Sequence, residues 1–144
     1  MNLEYKEAKA EDIERIYELN KQLIDEYENI EDIAYDKVLN WVHTKIESCL
    51  DEYNVIYVDG KKTGYYRFYK NEEGMFEIDD LYIFSEFQNK GIGSTVIKKC
   101  CSEVNESIML YVFIKNEKAV SLYKRLGFEI VKTIKDSRYI MRTI

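Results

Sequence analysis

The chain has 144 residues, the size of one domain able to bury one sizeable core. Apolar residues make up 46% and charged residues 33%, a globular balance, and no stretch approaches the ~20 apolar residues that a membrane span needs. The net charge of −6 argues against a nucleic-acid partner and is compatible with a cationic substrate, though a mildly acidic enzyme needs no such reason.

Leu3–Lys6 reads as a short first strand. It lacks the basic stretch and apolar run of a signal peptide. Ile13, Ile16, Tyr17, Leu23, Ile24 and Tyr27 recur at helical spacing, which predicts a helix over 10–28. A second helix fits 34–49, with Val38, Leu39, Val42 and Ile46 on its apolar face. Residues 53–58 and 63–69 read as strands joined at Asp59-Gly60, a hairpin signal, and 75–83 is the next strand after a turn at 71–74. A loop over 84–90 leads through Gly91-Ile92-Gly93 into a helix over 93–105. Residues 108–114 form a continuous apolar run, the pattern of a strand buried on both faces. A helix over 117–126 ends at Gly127, and strands over 128–134 and 138–144 complete the chain. The expected architecture is a single α/β (α+β) domain over 1–144, in the order β-α-α-β-β-β-α-β-α-β-β, with a mixed, mostly antiparallel sheet.

Cys49, Cys100 and Cys101 are odd in number and lack metal-ligand spacing, so they read as reduced thiols in a cytoplasmic protein. His43 is the only histidine, which leaves almost no material for a His-based metal site or a Ser-His-Asp triad. No metal is expected. Of the thirteen tyrosines, most fall in strands, where aromatic residues pack well.

The sharpest local feature is Gln88-Asn89-Lys90-Gly91-Ile92-Gly93-Ser94, which follows a strand and opens a helix. Glycines let the backbone turn tightly and let a ligand approach, and the first helical turn offers unpaired N–H groups to a phosphate. The P-loop pattern is absent, and Val96 stands where the dinucleotide fingerprint needs a third glycine. By itself the loop reads equally well as a plain strand–helix connection.

Taken with Leu81-Tyr82-Ile83 before it, the pattern Gln88-x-x-Gly91-x-Gly93 resembles the acetyl-CoA signature of the GNAT N-acetyltransferase superfamily. Asn116, Ala119, Leu122-Tyr123 and Gly127-Phe128 resemble that superfamily's second block, in the expected order. The resemblance is specific over about 75–130. It implies that acetyl-CoA is the co-substrate. Pantetheine would lie along Leu81, Tyr82 and Ile83 where two strands splay, and the pyrophosphate on the amides of Asn89, Lys90, Gly91, Ile92, Gly93 and Ser94. Asn116 would stand near the cofactor arm. Ser85 replaces a proline common in relatives, and Lys90 keeps the charge of a common arginine without its fork.

Acyl transfer to an amine needs a base for the amine, donors for the oxyanion and an acid for the thiolate. The resemblance puts Tyr123, seven residues after Asn116, in the place of the thiol-protonating tyrosine. The base is open among Glu77, Asp79, Asp80 and an ordered water. Glu77 and Asp79 share a strand face while Asp80 points away unless a bulge reverses it. Histone-type relatives carry a catalytic Glu at about the offset of Glu77 from Gly91, whereas the Glu that other relatives place on the following strand is Tyr111 here. The expected function is acetyl transfer to a primary amine of a small molecule or peptide, with no nucleic-acid or membrane partner; a homodimer is compatible with it. A catalytically weak acyl-CoA-binding regulatory module is the alternative, and a nucleotide-binding regulator fits the glycine pattern less well.

Overall fold

The structure, a computed structural model, describes residues 1–143. Ile144, the end of the last expected strand, lies outside them. Seven strands form one sheet: β1 (Leu3–Glu7), β2 (Tyr53–Val58), β3 (Lys61–Lys70), β4 (Phe76–Ile83), β5 (Ile108–Phe113), β6 (Phe128–Ile134) and β7 (Arg138–Thr143). Their order is β1-β2-β3-β4-β5-β7-β6, and only β4 and β5 run parallel. Four helices cover it: α1 (Ile13–Tyr27), α2 (Tyr35–Ser48), α3 (Ile92–Glu103) and α4 (Glu117–Arg125).

Strand alternation divides the core between two faces. Val55 and Tyr65 pack with Ile16, Leu39, Val42 and Ile46 of α1 and α2. Their neighbours Ile56 and Tyr66 pack on the other face with Val96, Ile97 and Cys100 of α3. The turns follow their chemistry. Asp59 and Gly60 both have positive φ (51° and 82°), as a two-residue hairpin loop requires. Asn71 Oδ1 accepts from the N–H groups of Glu73 and Met75 and closes the β3–β4 turn.

Three expectations shift. The first helix starts at Ile13, after a 3-10 turn over Ala10–Asp12. The helix after the glycine loop stops at Glu103, and Val104, expected on its apolar face, is extended. β5 is not buried on both faces: Tyr111 is 41% exposed. β4 pairs with β5 only at Phe76↔Ile108 and Glu77↔Met109, so beyond that point β5 has a strand partner on its β7 side but not on its β4 side.

Candidate active site

That parting of β4 and β5 opens a cleft of about 1660 Å³, lined by both strands, α1, α2, α4 and the glycine loop. Tyr82 and Ile83 remain paired to β3 on one side only, and Leu81 precedes them at an irregularity in that pairing. The Phe84 N–H donates to Thr63 (2.8 Å), so by alternation the backbone groups of Ile83 face the gap. There Gln88 Nε2 donates to the Ile83 carbonyl (2.9 Å), tying the loop back to the strand.

Asn89 and Gly91 are both left-handed, at φ 63° and 81°. Asn tolerates this conformation and Gly adopts it freely. The chain thus turns into α3, whose first hydrogen bond is Thr95 N–H to Gly91 O (3.1 Å). The N–H groups of Ile92, Gly93 and Ser94 precede that bond and are the unpaired donors of the helix start. No acidic side chain occupies that turn. A Cβ on Gly93 would meet the Ile83 and Leu122 side chains at 4.0 Å, ordinary contact, so the fold does not demand this second glycine. Lys90 lies over the Phe87 ring. Asn116 caps α4, its Oδ1 accepting from Ala119 N–H at 3.3 Å, and lines the cleft about two turns before Tyr123.

The strand β4 carries the carboxylates. Its register to β3 slips between Tyr65↔Tyr82 and Arg67↔Asp79, so two residues, Asp80 and Leu81, oppose Tyr66 alone. Asp80 takes φ 50° at this bulge. The bulge brings Asp80 to the same cation as Asp79: Lys45 Nζ is 3.0 Å from one and 3.2 Å from the other. Tyr53 Oη donates to Asp80 at 2.5 Å and Tyr82 Oη at 3.1 Å. Arg67 bridges Asp79 (3.1 Å) and Glu52 (2.7 Å) and lies on the Tyr69 ring at 3.5 Å. Burial, and then the like charge of Asp80, push Asp79 up to about 6 against the pull of Lys45 and Arg67. For Asp80 burial is outweighed by the Lys45 charge and the Tyr53 hydrogen bond, and its carboxyl is lowered.

Glu77 stands apart from this network. It sits at the last β4–β5 pair, 6% exposed, and takes the Asn71 amide (Nδ2–Oε1 3.1 Å) rather than a cation. Tyr123 lines the same cleft, half-buried against Phe128. Burial, with the Asp79 charge adding to it, pushes its phenol up to about 12. It therefore holds its proton at neutral pH.

Residues 11–128 match the model of the Acetyltransferase (GNAT) family. The chain belongs to the GNAT acetyltransferase family. Its mixed sheet is the GNAT fold seen in solved structures. One is the PaiA N-acetyltransferase of Thermoplasma acidophilum in complex with coenzyme A, at 23% identity over 99% of both chains with a TM-score of 0.65. Another is Arabidopsis thaliana Naa50 with a bisubstrate analogue, CoA-Ac-MVNAL, at 22% identity over 100% of this chain and 99% of that one, also with a TM-score of 0.65. An uncharacterized N-acetyltransferase of Methanocaldococcus jannaschii, MJ1207, is 32% identical over 63 residues, 41% of this chain and 28% of the relative's length. Among the described residues of this GNAT protein, no helix is long and apolar enough to cross a membrane.

Lys45, Tyr53, Arg67, Tyr69 and Asn71 were not readable as site residues. The available signal was slight: Lys45 falls between Val42 and Cys49 on the apolar face of α2, and Arg67 shares a strand face with Tyr65 and Tyr69.

Proposed function

We propose that this GNAT protein moves an acetyl group from acetyl-CoA to a primary amine of a small molecule or peptide by direct attack. The observation that carries this reading is the parting of β4 and β5 beyond Glu77 and Met109, which leaves strand backbone free beside the glycine loop. Leu81 and Ile83 would pair with the pantetheine arm as another strand would. The amides of Ile92, Gly93 and Ser94, with Lys90 nearby, would take the pyrophosphate. Glu77 would receive the amine's proton, directly or through one water. Tyr123 would give its proton to the departing thiolate, and both groups return to their starting states by exchange with solvent. Asp79 and Asp80 are committed to Lys45, Tyr53 and Arg67, which favours Glu77 among the three carboxylates. The free thiols of Cys49, Cys100 and Cys101 suit a cytoplasmic site of action.

The test combines binding with turnover. Acetyl-CoA at ~100 times its dissociation constant should stabilise the fold by about 2.7 kcal/mol. Gly91→Asp should abolish that gain by placing a negative side chain at the loop, and Gly91→Ala, which carries the same backbone strain without charge, should keep most of it. Thiol release with an amine panel separates an enzyme from a module that only binds acyl-CoA. Equal stabilisation of wild type and Gly91→Asp would remove the phosphate site from the glycine loop.

A further inference from the structure

We propose that the acceptor carries a carboxylate as well as an amine, and that Arg138 is the group that binds it. The proposal rests on the acetyl-transfer reading of the cleft. Arg138 opens β7, paired with Phe113 on one side and Ile134 on the other. Its guanidinium lies over the ring of Tyr111, 5.5 Å from the centroid, and lines the cleft. Its Nε is buried and has no hydrogen-bond partner, the one such side-chain atom among the described residues. A buried donor without an acceptor costs about 1–3 kcal/mol, and native proteins rarely leave one so.

Among the described residues nothing answers this donor. Two more deeply buried cations of the cleft are committed, Arg67 to Glu52 and Asp79, and Lys45 to Asp79 and Asp80. Glu28, the carboxylate that reaches the β6–β7 turn, accepts instead from Ser137 Oγ at 2.7 Å. A guanidinium is a planar fork of N–H donors, and a carboxylate fits that fork.

Register places the rest of the acceptor. Tyr111 stands on β5 between Met109, which pairs with Glu77, and Phe113, which pairs with Arg138. With ~3.3 Å per residue along a strand and ~4.8 Å between strands, the Cα atoms of Glu77 and Arg138 are roughly 16 Å apart. Burial raises the Tyr111 phenol, the charges of Glu77 and Glu73 add to that, and Arg138 over its ring opposes them. The span between a carboxylate that takes a proton and a guanidinium that takes an anion suits a zwitterion whose charges are several bonds apart.

Matched acceptor pairs test this: lysine, γ-aminobutyrate and trialanine, each against its carboxamide, with acetyl-CoA and thiol release as readout. Wild type should favour the carboxylate member of at least one pair by roughly 10- to 100-fold in kcat/KM, the range of a charge-assisted contact. Arg138→Met keeps an apolar stem on Tyr111 and should bring that ratio close to one, mainly through KM. Arg138→Lys should retain part of it. A wild type that treats every pair alike overturns the proposal, as does an Arg138→Met enzyme that loses equally on both members. If acetyl-CoA neither shifts the melting temperature nor releases thiol with any amine, the acetyl-transfer reading itself fails, and this inference falls with it.

Discussion

Lys45→Met removes the ammonium shared by Asp79 and Asp80 while keeping an unbranched, slightly shorter side chain. Lys45 Nζ lies 3.0 Å from Asp80 and 3.2 Å from Asp79, and its side chain is 14% exposed against 5% for Asp80. Without the ammonium, Asp79 still has Arg67, while Asp80 is left with neutral donors, the Tyr53 and Tyr82 hydroxyls and the Asn20 amide. Breaking a buried pair by removing one partner costs about 3–5 kcal/mol, because the remaining charge stays desolvated. For a domain of this size that is roughly 10–20 °C in Tm. The pH dependence adds a second constraint. Asp80 is lowered in the folded protein, so in wild type its contribution is present above the unfolded value of about 4 and is lost as pH falls through the folded one. The gap between variant and wild type should therefore be full at neutral pH and narrow as pH drops below about 4. Thermal melts followed by circular dichroism over that range provide the measurement. A variant that melts within about 3 °C of wild type at neutral pH would refute the reasoning, since it would mean that Asp80 does not depend on Lys45 for its charge.

Three further outcomes are expected. Glu77→Gln should depress acetyl transfer at neutral pH by roughly 100-fold or more with acetyl-CoA binding intact, and raising the pH should partly restore it because more of the amine is already neutral; a normal pH–rate profile in this variant, with Asp80→Asn inactive, would move the base along the strand. Tyr123→Phe should lower turnover by roughly 100-fold with little change in acetyl-CoA affinity; unchanged turnover in pre-steady-state thiol release would reduce Tyr123 to a packing residue beside Phe128. Asp79 is raised to about 6, so the folded protein holds a proton that the unfolded chain has released, and stability should fall as pH rises from about 4 to about 6. Asp79→Asn should flatten that slope in urea titrations, and an identical slope in the variant would show that another group causes it.

What the sequence determined by itself was local. The apolar spacing of α1 and α2, the Asp59-Gly60 hairpin and the run from Leu81 through the glycine loop to Gly127 are read from residues close together in the chain, where periodicity and turn chemistry act directly. The same run carried the family resemblance, and Tyr123, Asn116 and Gly91 came with it. The carboxylates were half legible. Alternation put Glu77 and Asp79 on one face, but which of the three carboxylates took a cation depended on partners 12 to 35 residues away, namely Arg67 and Lys45.

Only the tertiary structure decided those matters. The bulge that turns Asp80 toward Lys45 arises from the pairing of β4 with β3. The exposure of Tyr111 arises from the loss of β4 as a neighbour, which an unbroken apolar run cannot announce. The orphaned Nε of Arg138 is visible only once β7 has been inserted between β5 and β6. Hydrogen-bond and charge satisfaction are properties of the folded assembly, because each donor can be filled by any acceptor that the topology brings within about 3 Å.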